Sequence, residues 1–206
     1  MAFYRDRVFP RVMNLVMDNK ETRKIRARVC SGLEGDVVEI GFGTGLNLPH
    51  LPREVTCLRA VEPSELGVQI ARDRIAASPL PVQLCGRDGQ SLDFESHSAD
   101  AVLSTWTLCT IPDAVAALRE VRRVLRPGGT LHFVEHGAAP DEGVRRWQGR
   151  LNGLNQRLAC GCNLNRDIPA LIRAAGLTVS RLDTYYSPGG PKLFAATYEG
   201  VATATP

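Results

Sequence analysis

Glycine recurs at alternate positions in the segment Glu39-x-Gly41-x-Gly43-x-Gly45. Glycine lets the backbone turn tightly at places where a side chain would collide with a bound ligand. The dinucleotide fingerprint has its third glycine one position later, where this chain has Leu46, so the register argues against NAD. We therefore predict a turn whose backbone N–H groups lie beside a small anionic or zwitterionic ligand.

Two acidic residues follow the glycine turn, each at the end of a later apolar run. Glu62, in the pair Glu62-Pro63, lies ~20 residues beyond the turn, where a doubly wound fold places an acid that accepts hydrogen bonds from ribose hydroxyls. Asp88, in the pair Asp88-Gly89, is a candidate acceptor for an adenine amino group. The alternatives are an ordinary solvated acid at Glu62 and, at Asp88, a turn residue that bonds its own backbone.

His136 is the candidate catalytic residue. It follows an apolar run and Glu135, and imidazole titrates near the working pH, which suits a base or an orienting group. Trp106 ends the preceding apolar run, and the carboxyl ends of parallel strands form one crevice, so we expect both residues there. The alternative for His136 is a structural histidine bonded to Glu135 or to the backbone.

Six cysteines are spread along the chain without a CxxC pair. We expect reduced thiols that pack as small apolar groups, as is typical of cytoplasmic proteins. Cys160 and Cys162 invite a metal site, but no second Cys/His pair stands at metal-ligand spacing, so no metal is predicted. Residues 1–7 alternate apolar and charged side chains, so we expect neither export nor stable membrane insertion.

Apolar periodicity and turn residues divide the chain into alternating strands and helices. Strands are predicted over residues 36–40, 56–61, 82–85, 101–106, 130–134, 177–184 and 192–198. Helices are predicted as two pieces within 3–31, and over 64–78, 113–126, 144–158 and 167–175, with Ser64 and Asp167 as N-caps. This order predicts an α/β fold, a doubly wound seven-stranded sheet that is mostly parallel and has an antiparallel C-terminal hairpin strand. The tail after Val201 is expected to fray.

The composition is that of a globular protein, with 44% hydrophobic and 23% charged residues and a net charge of +3. The arginines are scattered and form no basic stripe, so no nucleic-acid partner is expected. With 206 residues, the chain is predicted to form one domain in four parts. These parts are an N-terminal helical cap (1–31), a cofactor-binding core (35–136), a substrate-side insert (137–165), and a C-terminal helix with strands (166–199).

Five motifs occur in a fixed order between residues 35 and 135. They are the glycine turn from Glu39 to Gly45, Glu62, Asp88-Gly89, Ser98-Ala-Asp100-Ala-Val, and Leu125-Arg-Pro-Gly-Gly129. In this order they resemble the motif series of class I S-adenosylmethionine-dependent methyltransferases. The resemblance implies a Rossmann-like methyltransferase fold, S-adenosylmethionine as the cofactor and methyl transfer as the reaction.

The resemblance also implies which residues bind the cofactor. Phe42 departs from the family pattern, which has a small residue or Cys at that position, and should reshape the pocket wall without abolishing binding. The implied residues are Glu39 at the methionyl amino end, Gly41, Gly43 and Gly45 along the cofactor, Glu62 with Pro63 at the ribose, Asp88 and Gly89 at the adenine, and Thr105 and Trp106 near the methyl group.

A narrower resemblance concerns the methyl acceptor. Thr107-Leu-Cys109-Thr, Glu135-His136 and Cys160-Gly-Cys162 are similar to the methyltransferase-like 7 proteins, which methylate alkyl thiols. Ubiquinone/menaquinone C-methyltransferases and phospholipid N-methyltransferases share much of the core pattern. The expected substrate is a small, apolar molecule, with a thiol favoured over a quinone or a phospholipid amine. An NAD-dependent oxidoreductase and a cofactor-binding protein without turnover are distant alternatives, and the oligomeric state stays open.

Overall fold

The computed structural model describes residues 3–204 as one mixed sheet flanked by helices. The strands are β1 (Gly35–Ile40), β2 (Val55–Val61), β3 (Val82–Gly86), β4 (Ala99–Thr105), β5 (Leu125–His136), β6 (Leu177–Tyr186) and β7 (Ala196–Ala204). The helices are α1 (Phe9–Val16), α2 (Lys20–Cys30), α3 (Glu65–Ala77), α4 (Ala114–Val124), α5 (Glu142–Leu158), α6 (Ile168–Ala174) and α7 (Lys192–Ala195). A π-helical turn (Tyr4–Val8) leads into α1, and a 3-10 turn (Leu48–His50) follows the glycine-rich segment.

The seven strands lie in the order β3-β2-β1-β4-β5-β7-β6. Strands β1 to β5 pair in parallel, and β7 is antiparallel to both β5 and β6. This confirms the predicted doubly wound α/β sheet with an antiparallel C-terminal strand. The strand order reverses between β1 and β4, and ligands of such sheets bind in the crevice at the carboxyl ends of strands around that point.

Successive side chains of β1 pack in two different hydrophobic clusters, because neighbouring residues of a strand point to opposite faces of the sheet. Val38 and Ile40 belong to a cluster that contains Leu118 of α4. Val37 belongs to a second cluster, together with Ile25 of α2. Helices therefore pack against both faces of the sheet.

Polar caps fix where α3 and α6 begin, as the sequence predicted. The Ser64 hydroxyl accepts a hydrogen bond from the backbone N–H of Gly67 (3.0 Å), and the Asp167 carboxylate accepts one from the N–H of Ala170 (3.0 Å). Each bond satisfies a donor that the first helical turn leaves unpaired. Because α3 begins directly after β2, its cap lies beside the predicted ribose-binding acid.

The C-terminal strand differs from the prediction at both ends. The residues before it form α7, because Pro191 fixes its own backbone angle and its ring suits a helix start. Strand β7 then continues to Ala204, and Ala202 is paired on both sides, with β5 and with β6. The expected fraying after Val201 is therefore wrong as far as residue 204, because pairing on both sides orders the segment. Residues 205 and 206 lie outside the described residues.

Within residues 3–204, no helix combines the length and the apolar character needed to cross a membrane. The six cysteines are free thiols. The cytoplasmic location and the four-part domain organisation stay predictions.

Candidate functional site

The glycine turn begins directly after β1 and is held to the end of β2. The backbone N–H groups of Gly41 and Phe42 both donate to the carbonyl of Val61, at 2.9 and 3.2 Å. Gly41 has a φ of +73°, and a Cβ there would lie 2.0 Å from the hydroxyl oxygen of Thr107. Only glycine fits at this position, because both the conformation and the neighbouring loop exclude a side chain.

Gly43 serves a different purpose in the same turn. Its φ is +59°, yet an added Cβ would meet no atom closer than 3.8 Å. The space beside it is therefore open, in the turn along which the resemblance implies the cofactor lies. A backbone that leaves such space fits a ligand lying along the turn.

Glu62 braces the turn from the end of β2. One carboxylate oxygen accepts a hydrogen bond from the N–H of Gly43 (2.6 Å), and the other accepts one from the N–H of Ser64 (2.7 Å). Burial raises the pKa of this carboxyl, and the two N–H groups partly oppose that shift. Each oxygen of a carboxylate has two acceptor positions, so Glu62 retains capacity for ribose hydroxyls. The neighbouring Pro63 is exposed.

Glu39 lies at the base of the turn and is fully buried. One oxygen accepts a hydrogen bond from the side-chain amide of Asn47 (2.7 Å), and the other has no partner. Burial raises the pKa of Glu39 to about 8, although Asn47 and the charge of Arg26 work against the shift. A buried carboxylate oxygen without a partner is costly. It fits the role that the resemblance implies for Glu39, toward the methionyl amino end of S-adenosylmethionine.

Arg26 of α2 completes a buried polar network that the sequence reading missed. Its guanidinium donates to the side-chain amide oxygen of Asn47 (2.6 Å) and to the Thr105 hydroxyl (3.2 Å). It also lies 4.8 Å from the centroid of the Trp106 ring. Burial lowers the pKa of Arg26 to about 10. The network joins the N-terminal helices to Thr105 and Trp106, which are the predicted residues near the methyl group.

Asp88 and Gly89 lie after β3, at the next strand end. Asp88 is exposed, and one of its oxygens accepts a hydrogen bond from the backbone N–H of Gln90 (2.8 Å). The structure thus gives Asp88 the role of a turn residue, which is the alternative given above. An added Cβ on Gly89 would lie 3.3 Å from Ile111. The adenine contact of these two residues stays a prediction.

Glu135, at the end of β5, organises the loop after β4. It accepts hydrogen bonds from the Ser104 hydroxyl (2.7 Å) and from the backbone N–H groups of Thr107 (3.0 Å) and Cys109 (3.1 Å). Burial raises the pKa of this fully buried carboxyl, and the hydrogen bonds partly oppose the shift. Both carboxylate oxygens of Glu135 therefore hold the loop after β4 in place.

Trp106 connects this loop to the candidate catalytic residue. It has a φ of +52°, which is rare for a bulky residue and is held by a hydrogen bond from its N–H to the carbonyl of Val134 (2.7 Å). Its ring centroid is 6.4 Å from that of His136. The structure thus brings the rings of Trp106 and His136 close together, beside the carboxyl ends of β4 and β5.

His136 also has two thiol neighbours from distant parts of the chain. The ligand atoms of Cys109, His136 and Cys162 all lie within 4.8 Å of one another. A hydrogen bond with Cys162 and burial raise the pKa of Cys109 well above its usual value, and the same hydrogen bond lowers the pKa of Cys162. Burial opposes the charged form of His136, but its hydrogen bond with Cys109 and the nearby negative charges raise its pKa overall.

The sequence did not single out Arg26, and it gave Cys109 only as part of a motif of the narrower resemblance, without a role of its own. Local spacing searches look for paired ligands, whereas Cys109, His136 and Cys162 come from the loop after β4, the end of β5 and the loop after α5. Only the parallel arrangement of β4 and β5 could have signalled that the first two meet.

The sequence of this chain is similar to those of known methyltransferases. Residues 38–133 match the family described as "Methyltransferase domain". The human thiol S-methyltransferase TMT1A is 32% identical over 157 residues, which cover 74% of this chain and 64% of that protein. The human thiol S-methyltransferase TMT1B is 33% identical over 175 residues, which cover 77% of this chain and 70% of that protein. The chain thus spans about two thirds of the length of these relatives.

A solved structure agrees in fold. A Haloferax volcanii chain assigned as a methyltransferase, in complex with the Trm112 methyltransferase activator, superimposes with a TM-score of 0.72 at 20% identity. The match covers 96% of this chain and 94% of that one. The glycine turn and the unpartnered oxygen of Glu39 agree with a methyltransferase site. The chain belongs to the S-adenosylmethionine-dependent methyltransferases, as the matching family and the similar relatives show.

Proposed function

We propose that the methyl acceptor is a small, apolar molecule with a thiol group. The observation that supports this most is the weak base at the acceptor side of the crevice. His136 is part-exposed at the end of β5, whereas the adjacent carboxylate of Glu135 is buried and occupied by the loop after β4. A thiol has a pKa near ~8.5 and needs only a modest base, whereas an alcohol needs a much stronger one. The names of the relatives TMT1A and TMT1B point to the same acceptor.

The cofactor-binding residues are proposed from the resemblance and fit the structure. Glu39 and the glycine turn would hold the methionyl part, Glu62 the ribose hydroxyls, and Thr105 with Trp106 the wall near the methyl group. When bound, S-adenosylmethionine supplies a methyl group on a positively charged sulfur, so the acceptor sulfur bonds to the methyl carbon while the old carbon–sulfur bond leaves its electron pair on the departing sulfur. The chain itself aligns the two partners and excludes water.

His136 would either take up the acceptor proton at a ring nitrogen or orient the acceptor. Both roles require His136 to lie on the acceptor side of the site, and the neighbouring Trp106 ring supports such a position. The hydrogen bond with Cys109 and the nearby negative charges raise the pKa of His136, which makes the ring a better proton acceptor for a thiol.

Exposed apolar side chains on two segments that touch support an apolar acceptor. The N-terminal helical segment exposes Phe3 and Leu15, and α5 exposes Trp147 and Leu158. The two segments touch, because the Tyr4 hydroxyl donates to the carbonyl of Leu158 (3.1 Å), just before the loop that carries Cys162. Exposed apolar groups that share one region commonly mark a ligand or interaction surface.

An acceptor panel tests the proposal. The protein is incubated with methyl-labelled S-adenosylmethionine and, in separate reactions, an alkyl thiol, a quinol and phosphatidylethanolamine, and the products are identified by mass. We expect a labelled methyl thioether from the thiol. Label in the quinol or the phospholipid amine, with none in the thiol, would replace the proposed acceptor by one of the alternatives. Cofactor binding without product on any acceptor would instead indicate a binding protein without turnover.

A further inference from the structure

Three atoms that can bind a metal converge near Trp106 and have no role in the proposed cofactor binding. The sulfurs of Cys109 and Cys162 and a ring nitrogen of His136 lie within 4.8 Å of one another. Cys109 is buried, and the other two are part-exposed. Methyl transfer to a thiol requires at most one of these groups, so the reaction alone does not account for the cluster.

The position of Cys109 is fixed by hydrogen bonds on both sides of its peptide. Its N–H donates to the carboxylate of Glu135 (3.1 Å). Its carbonyl accepts hydrogen bonds from the N–H (2.8 Å) and the side-chain amide (3.0 Å) of Asn163. Because Asn163 follows Cys162, these bonds hold the two cysteine-bearing loops against each other.

The position of Cys162 is fixed in the same way. Its carbonyl accepts a hydrogen bond from the side-chain amide of Asn155 on α5 (2.8 Å). The turn before it contains Cys160 with a φ of +48° and Gly161 with a φ of +105°. This turn brings the chain back sharply after α5, so that Cys162 returns toward β5. Such fixed loops form a prepared ligand set.

We propose that Cys109, His136 and Cys162 bind one zinc ion. Two cysteines and one histidine are a known ligand set for a zinc site that keeps its fourth position open. Zinc–sulfur bonds of about 2.3 Å and zinc–nitrogen bonds of about 2.0 Å place tetrahedral ligand atoms about 3.5 to 3.8 Å apart. Because the ligand atoms lie within 4.8 Å of one another, binding needs them to approach by about 1.3 Å at most. Thiolate and imidazole ligands favour zinc over calcium or magnesium.

The fourth position is assigned to the sulfur of the acceptor, a step that rests on the proposed function. The two cysteines lose their thiol protons when they bind the ion, and an acceptor thiol that enters the fourth position loses its own proton to solvent. The ion would thereby hold the acceptor as a thiolate beside Trp106. His136 then orients the acceptor through the ion, which selects one of the two roles left open above.

Cobalt titration tests the site without any turnover. The purified chain is reduced, freed of metal with a chelator, and titrated with Co²⁺ as a spectroscopic substitute for Zn²⁺. We expect one ion per chain and an absorption band from charge transfer between thiolate and cobalt. Cys162→Ser should lower the affinity for zinc at least about 100-fold, as measured by competition with a coloured chelator. The matched control is Cys160→Ser, two residues away and outside the cluster, which should bind zinc as the wild type does.

Two results would overturn the zinc site. They are the absence of the band in the wild type and a band that persists in both Cys162→Ser and Cys109→Ser. Circular dichroism and urea unfolding establish that each variant is folded, and His136→Asn provides a third ligand variant should Cys109→Ser fail to fold.

The acceptor is tested on the cobalt-loaded protein. Adding an alkyl thiol should strengthen the charge-transfer band, whereas the alcohol of the same chain length should leave it unchanged. An unchanged band with the thiol overturns the assignment of the fourth position. A cobalt site that responds to the thiol in a protein that never methylates it would instead count against the proposed function, so the two failures are distinguishable.

Discussion

Replacing Glu62 by Gln tests whether one carboxylate both braces the glycine turn and binds the cofactor. The carboxylate accepts two backbone hydrogen bonds, from Gly43 at 2.6 Å and from Ser64 at 2.7 Å. Gln has one oxygen for the two donors, so its NH₂ group must face the other N–H. We expect the loss of one charge-assisted hydrogen bond, which is about 1.5 to 3 kcal/mol when the site is desolvated.

The effect should appear in two measurements. The free energy of unfolding of the cofactor-free protein, from urea denaturation, should fall by about 1 to 2 kcal/mol, because Glu62 is only part-buried and water reduces the loss. The dissociation constant of S-adenosylmethionine, from calorimetry, should rise about 10- to 100-fold, because the ribose hydroxyls lose an ionised acceptor as well. Glu65→Gln is the matched control, since Glu65 is exposed and pairs with the exposed Arg87. Its variant should change neither quantity.

Two results would contradict the double role of Glu62 in bracing the turn and binding the cofactor. Reduced stability with an unchanged dissociation constant would mean that the carboxylate is a structural brace and that the ribose binds elsewhere. An unchanged free energy of unfolding would mean that the two N–H groups do not depend on the charged acceptor.

The remaining predictions concern the turn and a buried histidine. Gly41→Ala should lower the free energy of unfolding, measured in urea, by about 2 to 4 kcal/mol, because its Cβ would lie 2.0 Å from Thr107. Gly43→Ala should lower it by only about 1 kcal/mol but should weaken cofactor binding, because its Cβ enters the open space beside the turn. Equal losses of stability in the two variants would contradict this distinction. Burial lowers the pKa of His132, whose ring bonds to the carbonyl of Val29 (2.9 Å), so the unfolded chain takes up a proton more readily and stability should fall as the pH drops below about 6.5. The urea midpoint measured between about pH 5 and 7.5 should show this fall, and His132→Gln should reduce it; an identical slope in the variant would assign the pH dependence to other groups.

The fold could be predicted from the sequence because its signals are local. Apolar runs, the caps at Ser64 and Asp167, and the glycine at position 41 each act within a few residues. The predicted start of the last strand is wrong because Pro191 favours a helical turn, and its predicted end is wrong because pairing with two strands orders a segment whose composition alone suggests fraying.

The candidate site could be predicted only where its residues follow a strand directly. Glu39, Glu62 and Trp106 end or follow strands, so the doubly wound topology alone brings them to one edge of the sheet. Arg26 comes from a helix before the sheet, and its contacts with Asn47 depend on how that helix packs. No short spacing rule reports such packing.

The cluster of thiols and imidazole illustrates the same limit. In the sequence, the natural partner of Cys162 is its near neighbour Cys160, because metal motifs usually consist of close pairs. The fold instead turns Cys162 toward Cys109 and His136, through hydrogen bonds made by Asn155 and Asn163. Long-range polar contacts of this kind become visible only in three dimensions.

The most direct test of the thiol acceptor is a matched series in which only the reacting atom changes. Three molecules with the same alkyl chain, ending in a thiol, an alcohol or an amine, compete in one reaction with labelled S-adenosylmethionine, and the initial rate of each methylated product is measured by mass. We predict that the methyl thioether forms and that the methyl ether and the methylamine do not. Methylation of the amine or the alcohol at a rate equal to that of the thiol would contradict it.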